Sequence, residues 1–207
     1  DQPRSRGLGD VYKRQHGVHI MRATTVDRSL RGSPSLPRPR TLIHPGAFNP
    51  VRIHSRCARH GRHIRLALRP GASLFEALVA PLAKAGVENA SMTLLGGAFS
   101  HLDYCTAPPD PAHLRVVAYT EPIAAGPACL IFGNATLGKS DTGAPLVHCH
   151  AAFCTDDGEL LGGHLIAQTT IVGPAPVTVL VTSLDGFELR ATYDAETNLR
   201  LLQPREV

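Results

Sequence analysis

The chain lacks any run approaching the ~18 consecutive apolar residues of a membrane helix, and it lacks the charged, apolar and small-residue succession of a secretory signal. A cytoplasmic protein with no membrane partner is the expectation. It also lacks a Cys-x-x-Cys pair. The five cysteines (Cys57, Cys105, Cys129, Cys149 and Cys154) are odd in number and unevenly spread, so neither a zinc ribbon nor a disulfide framework is signalled. Reduced, mostly buried thiols are expected. No internal repeat is visible. What remains is a chain of 207 residues, 43% hydrophobic, long enough to bury a core as one domain with an appended tail.

The basic character is confined to one end. Residues 1–69 carry 15 Lys and Arg against 3 Asp and Glu, or +12, whereas residues 70–207 carry 6 against 14, or −8. A basic arm on an acidic domain would ordinarily grip nucleic acid by neutralising phosphates and releasing counterions. Part of this arm has another reading. Asp10-Val11-Tyr12-Lys13-Arg14-Gln15 is what GAT GTG TAT AAG AGA CAG encodes, a string similar to the transposon end used in preparing sequencing libraries. Residues 1–15 are therefore read as adapter read-through. Without their 4 basic and 2 acidic residues the balance is 17 against 15, only +2.

Residues 16–61 read as a basic arm rich in Pro and Arg, with a segment such as Arg31-Gly32-Ser33-Pro34-Ser35-Leu36-Pro37-Arg38-Pro39-Arg40 unable to offset its ordering entropy. A folded domain over 62–204 and a short tail, 205–207, complete the chain. Alternation at His63-Ile64-Arg65-Leu66-Ala67-Leu68 predicts a first strand, ended by Arg69-Pro70-Gly71. Ser73 followed by Glu76 is a capping-box pattern; Leu74, Phe75, Leu78, Val79 and Leu82 recur at helical spacing, with Gly86 as the stop. Pro81 should kink or shorten this helix. Beyond it, strands are expected near Ala90–Phe99, His113–Tyr119, Ala128–Ala135, Leu146–Cys154, Glu159–Ile171, Val177–Leu184 and Phe187–Tyr193. The fold class is α+β: a largely antiparallel sheet of about seven strands with one main helix packed on it. Gly96-Gly97, inside a strand pattern, marks a bulge or a close backbone approach, since no phosphate-binding lysine or helix start follows.

The most informative stretch runs from Leu146 to Leu165. Side chains alternate along a strand, so His148 and His150 share one face and Cys149 takes the other. The position of His164 depends on the turn between. A two-residue turn at Asp157-Gly158 sets His164 opposite Ala151, facing away. A three-residue loop Asp156-Asp157-Gly158, with Gly158 left-handed, pairs Thr155 with Glu159 and sets His164 opposite His150. In that register Ala152 lies opposite Gly162, and three imidazoles converge as Zn²⁺ requires, leaving a fourth position for water or a ligand. Imidazole also suits Ni, Fe or Cu. Such a site should weaken as the pH falls below about 6.5, where free histidine is protonated. The plainer alternative is three ordinary hydrogen-bonded strand histidines.

Arg69-Pro70-Gly71 leading into a helix, the Gly96-Gly97 strand, Gly133-Asn134, His148-Cys149-His150, Gly162-Gly163-His164 and Gly173 occur in the order found in the bacterial PPC (plants-and-prokaryotes-conserved) domain, which this chain resembles over about two thirds of its length. The resemblance implies a homotrimer, an antiparallel sheet with flanking helices, and a divalent metal held by His148, His150 and His164. It also implies kinship with plant proteins that join this domain to AT hooks. Those plant proteins lack the histidines and carry a Gly-Arg-Phe-Glu-Ile-Leu stretch where this chain has Glu121-Pro122-Ile123-Ala124-Ala125-Gly126, so plant-style partner recruitment does not carry over. Nor is there an Arg-Gly-Arg-Pro core for the minor groove: Arg31-Gly32-Ser33-Pro34 lacks the second arginine.

Three functions follow as expectations. The first is a trimeric metal-binding module with a regulatory or DNA-associated role. The second is a zinc-dependent hydrolase or lyase using metal-activated water, which would need a general acid or base; Glu121, Asp103 and Glu159 are candidates by chemistry alone. The third is a structural metal that ties subunits together. His101, His113, His44, His54, His60 and His63 carry no ligand spacing and are expected at surface or satisfied-core positions.

Overall fold

The computed structural model describes residues 42–51 and 54–206. The adapter-like residues 1–15 and the rest of the arm before residue 42 lie outside the described residues. The domain runs β1 (His63–Ala67), α1 (Leu74–Lys84), β2 (Ala90–Leu94), β3 (Gly97–Cys105), β4 (Ile123–Lys139), β5 (Pro145–Thr155), β6 (Leu160–Leu165), β7 (Ile171–Val172), β8 (Thr178–Ser183), β9 (Glu188–Asp194) and β10 (Leu199–Arg205). The sheet order is β1-β8-β2-β4-β5-β6-β3-β7. All of these pairings are antiparallel.

The 17-residue β4 organises the sheet. It pairs with β5 from Ala128 to Lys139, with β3 through its first half and with β2 through its second. Since β6 also pairs with β3 at Tyr104↔Leu165 and Cys105↔His164, strands β3, β4, β5 and β6 close on one another. Their inner face carries Phe99, Leu102, Leu130, Cys149, Phe153 and Leu165, all buried, in a cluster that continues to Leu74, Leu78 and Leu82 of α1. Burying each such side chain stabilises by about 1.5–3 kcal/mol.

The helix begins as its sequence predicts. Ser73 Oγ accepts from the Glu76 amide at 3.1 Å, and Gly86, at φ +66°, follows its end. It runs through Pro81 for three further residues, 11 in all, with the Ala85 amide donating to the Pro81 carbonyl at 3.1 Å.

The strand count differs: ten among the described residues rather than about seven. Ala90–Phe99 is two strands, parted at Gly96, and the Gly97 backbone approaches Val177 so closely that a Cβ would lie 2.6 Å from its Cα. Glu159–Ile171 is also divided, because the Thr169 and Thr170 amides donate back to the Ile166 carbonyl and close a turn. His113–Tyr119 is not a strand. The Asp110 carboxylate accepts from the amides of Ala112, Leu114 and Arg115 at 2.9–3.0 Å, a local satisfaction that competes with a sheet ladder. The unforeseen strand β10, whose Arg200, Gln203 and Pro204 obscure its pattern, forms a seven-pair hairpin with β9.

Two polar contacts fasten peripheral segments to this frame. The buried Glu196 accepts from the Asn49 amide at 2.8 Å and meets His44 Nδ1 at 2.8 Å, which places His44 in a specific contact the sequence did not indicate. Near Lys139↔Arg190, the one parallel pair among the described residues, which joins β9 to β4, Glu188 meets Arg190 Nε at 2.5 Å and Lys139 Nζ at 3.0 Å. The Arg190 guanidinium and then the Lys139 ammonium hold the Glu188 carboxyl down at about 2. A carboxylate depressed from 4.5 in the unfolded chain stabilises the fold above that pH and loses the contribution as the pH falls toward 2. Glu188→Gln should therefore lower stability at neutral pH by about 1 kcal/mol and flatten the decline between pH 4.5 and 2, measured by urea denaturation across that range.

Candidate metal centre

Strand β5 alternates strictly where it matters. Val147, Cys149 and Phe153 are buried, while His148, His150 and Ala152 point to the outer face. The core therefore orients the two histidines: turning them inward would expose Cys149 and Phe153. Burial also pushes the Cys149 thiol up to about 12, leaving it a packing residue. Cys105 is buried too, Cys154 half-buried, Cys57 and Cys129 exposed, and all five thiols are free.

The loop to β6 takes the three-residue form. The Thr155 amide donates to the Glu159 carbonyl at 3.0 Å, the Gly158 amide to the Thr155 carbonyl at 3.0 Å, and Gly158 sits at φ +87°. This sets Cys154 opposite Leu160, Ala152 opposite Gly162 and His150 opposite His164. The three rings lie together, with centroids 4.8 Å apart for His148–His150, 4.7 Å for His148–His164 and 5.3 Å for His150–His164. One nitrogen from each falls within 4.8 Å of the others.

The electrostatics favour the neutral form of His148 and His164. Burial, then the proximity of His148 and His150, holds His164 down to about 4; burial, then His150, lowers His148. His148 is exposed as a whole residue, so this desolvation comes from crowding of its ring against its neighbours. His164 Nδ1 is buried without a hydrogen-bond partner. A buried unsatisfied nitrogen costs about 1–3 kcal/mol, and a cation bound there would relieve it. The donor set thus fits a divalent ion of the zinc type: three imidazoles, close together and on one face.

Of the carboxylates considered as acid or base, none joins the cluster. Asp103 is engaged by His101 at 3.0 Å, and Glu121 and Glu159 are exposed and are not grouped with the three histidines. The sequence reading missed Tyr119, whose ring packs edge-on against His164 at 5.7 Å. Backbone bonds from Ala118 to Pro108 and from Thr120 to Thr106, both 2.9 Å, fix it there. No spacing signal could have found it, because it reaches the site from a nonrepetitive loop.

A mostly antiparallel domain with one short helix and a three-imidazole cluster on the outer face of a hairpin defines a candidate metal-binding β protein. The model of the Plants and Prokaryotes Conserved (PCC) domain matches residues 55–184, and the chain belongs to that family, the PPC domain of the sequence comparison under its other abbreviation. Solved structures share the fold. A metal-containing protein from Archaeoglobus fulgidus superposes with a TM-score of 0.56 at 21% identity, covering 73% of this chain and 98% of that one. A plant- and prokaryote-conserved protein from Pyrococcus horikoshii gives 0.54 at 19%, covering 72% and 94%. A candidate DNA-binding protein from Ralstonia eutropha gives 0.54 at 19%, covering 67% and 88%. No curated protein matches the chain in sequence.

The register depends on Gly158, so replacing it with Ala forces a side chain into the left-handed region at a cost of about 1–2 kcal/mol. Thermal denaturation of Gly158→Ala should show that loss, and Asp156→Ala, which leaves the glycine in place, should melt within about 0.5 kcal/mol of the parent.

Proposed function

We propose that this PCC-family domain binds one divalent metal, zinc in the first instance, through His148, His150 and His164, and that it acts as a homotrimeric regulatory module associated with DNA. The observation that carries the metal reading is the cluster itself: three imidazoles in one register, one of them with a buried and unpartnered nitrogen. The metal-containing relative from Archaeoglobus fulgidus supports it. A bound ion would act as a Lewis acid with a position left over for an exogenous ligand. The protein's own contribution is to favour the neutral form of His148 and His164, to aim His148 and His150 by the β5 alternation, to bring His164 opposite by the β5–β6 register and to pack Tyr119 against it. With no carboxylate among the described residues in the cluster to move a proton, the geometry favours binding over hydrolytic or lyase chemistry.

The DNA-associated part is supported by the relative from Ralstonia eutropha and by the basic residues between 16 and 69. No helix among the described residues is long and apolar enough to cross a membrane, and a cytoplasmic location belongs to the same proposal.

Metal analysis tests the core of this reading. His150→Ala should lose metal affinity by at least about 100-fold while keeping its fold by circular dichroism; equal metal content in parent and variant would refute the assignment. Protons compete only where a ligand can accept one. Since His164 is held down to about 4 and His148 is lowered as well, proton competition at these two ligands should weaken binding as the pH falls toward 4, a range followed by competition with a chelator of known affinity. For DNA, a mobility shift with the full chain should weaken steeply between about 50 and 200 mM salt. A shift insensitive to salt, or none, would remove the nucleic-acid part.

A further inference from the structure

An open cleft of about 390 Å³ lies beside the histidine cluster, between the outer face of β4–β5 and the β9–β10 hairpin. Its walls are mainly aliphatic, with Leu146 from β5, Leu189 from β9 and Leu199 and Leu202 from β10. Two residues join it to the cluster. His148 of the cluster is itself a lining residue of the cleft, and Tyr119 lines the cleft while packing against His164. We propose that cluster and cleft form one binding site for a small monocarboxylate with an apolar body, its carboxylate directed to the cluster and its body lying along the leucines. This rests on the metal reading above.

Charge selects the head group. Three neutral imidazoles around a divalent ion leave two positive charges without a protein counter-anion, because no Asp, Glu or Cys among the described residues joins the cluster. An anionic oxygen ligand is therefore favoured at the remaining position. Arg200, at the cleft wall, does not draw the anion away, since its guanidinium is paired with Asp141. The walls select the rest. A phosphate ester would need several donors, whereas beyond His148 the uncharged polar side chains of the wall are Thr136 and Tyr119. A cleft of this size falls in the range of small-molecule sites, and each buried methylene contributes up to about 0.8 kcal/mol.

The position is also consistent with the register. Thr136 pairs with His148 across β4 and β5, and Leu146 precedes His148 by two residues on the same face. The floor of the cleft therefore continues the metal-facing side of the sheet, and the hairpin forms its other wall. Six of the ten lining residues come from that hairpin, beyond residue 184, where the family match ends.

The full chain loaded with Co²⁺ provides the test, since its visible bands respond when a ligand enters the metal's coordination sphere. Hexanoate should perturb the bands and bind at least about 10-fold more tightly than acetate, and more tightly than inorganic phosphate. Ala191→Trp should fill the cleft and abolish the hexanoate preference while acetate binding and metal content persist. Leu202→Ala, which removes bulk instead of adding it, should reduce the preference by about 3-fold or more, so misfolding of the tryptophan variant does not protect the idea. Equal affinity for hexanoate and acetate, or tighter binding of phosphate, overturns the proposal while leaving the metal reading intact. A chain that takes up no Co²⁺ overturns both.

Discussion

The cross-strand pair His150↔His164 is the constraint on which the site depends. It exists because the loop between β5 and β6 has three residues and ends in a left-handed glycine, so that the second strand returns with the same face outward as the first. A connection one residue shorter would present His164 to the core and leave His148 and His150 as a bare pair. Backbone hydrogen bonds at Thr155 enforce the longer form.

That loop acts together with the hydrophobic alternation of β5. Val147, Cys149 and Phe153 belong to the core, and their burial determines which way the intervening histidines point. The interior therefore orients a site it does not contain. Burial, and then the proximity of the neighbouring rings, lowers the proton affinity of His148 and His164, so packing sets the electrostatics of the cluster. Small residues at Ala152 and Gly162 keep the neighbouring surface low.

Around this hairpin the family's sheet closes through β3 and β4, while the β9–β10 hairpin stands over the histidine-bearing face. The Glu188 network and the Lys139↔Arg190 pair attach that hairpin, so a polar contact at the edge of the fold shapes the space beside the cluster. The histidine cluster, the cleft and the hairpin lie side by side, with His148 and Tyr119 shared between cluster and cleft.

Local signals were legible in the chain: the Ser73 cap, the Gly86 stop, the Gly96-Gly97 interruption and the facing of His148 and His150 all rest on interactions within a few residues, and the structure shows each of them. The hairpin register left two options at the sequence level, and hydrogen bonding across the loop selected one. The strand count, the coil at His113–Tyr119 and the existence of β10 were not legible, because they depend on the Asp110 carboxylate capturing three amides and on pairing partners distant in sequence. Tyr119 over His164, His44 against Glu196 and the leucine-lined cleft were decided by tertiary structure alone. Each joins segments whose proximity no periodicity encodes, whereas the facing of the histidines required only the two-residue repeat of a strand with one side buried.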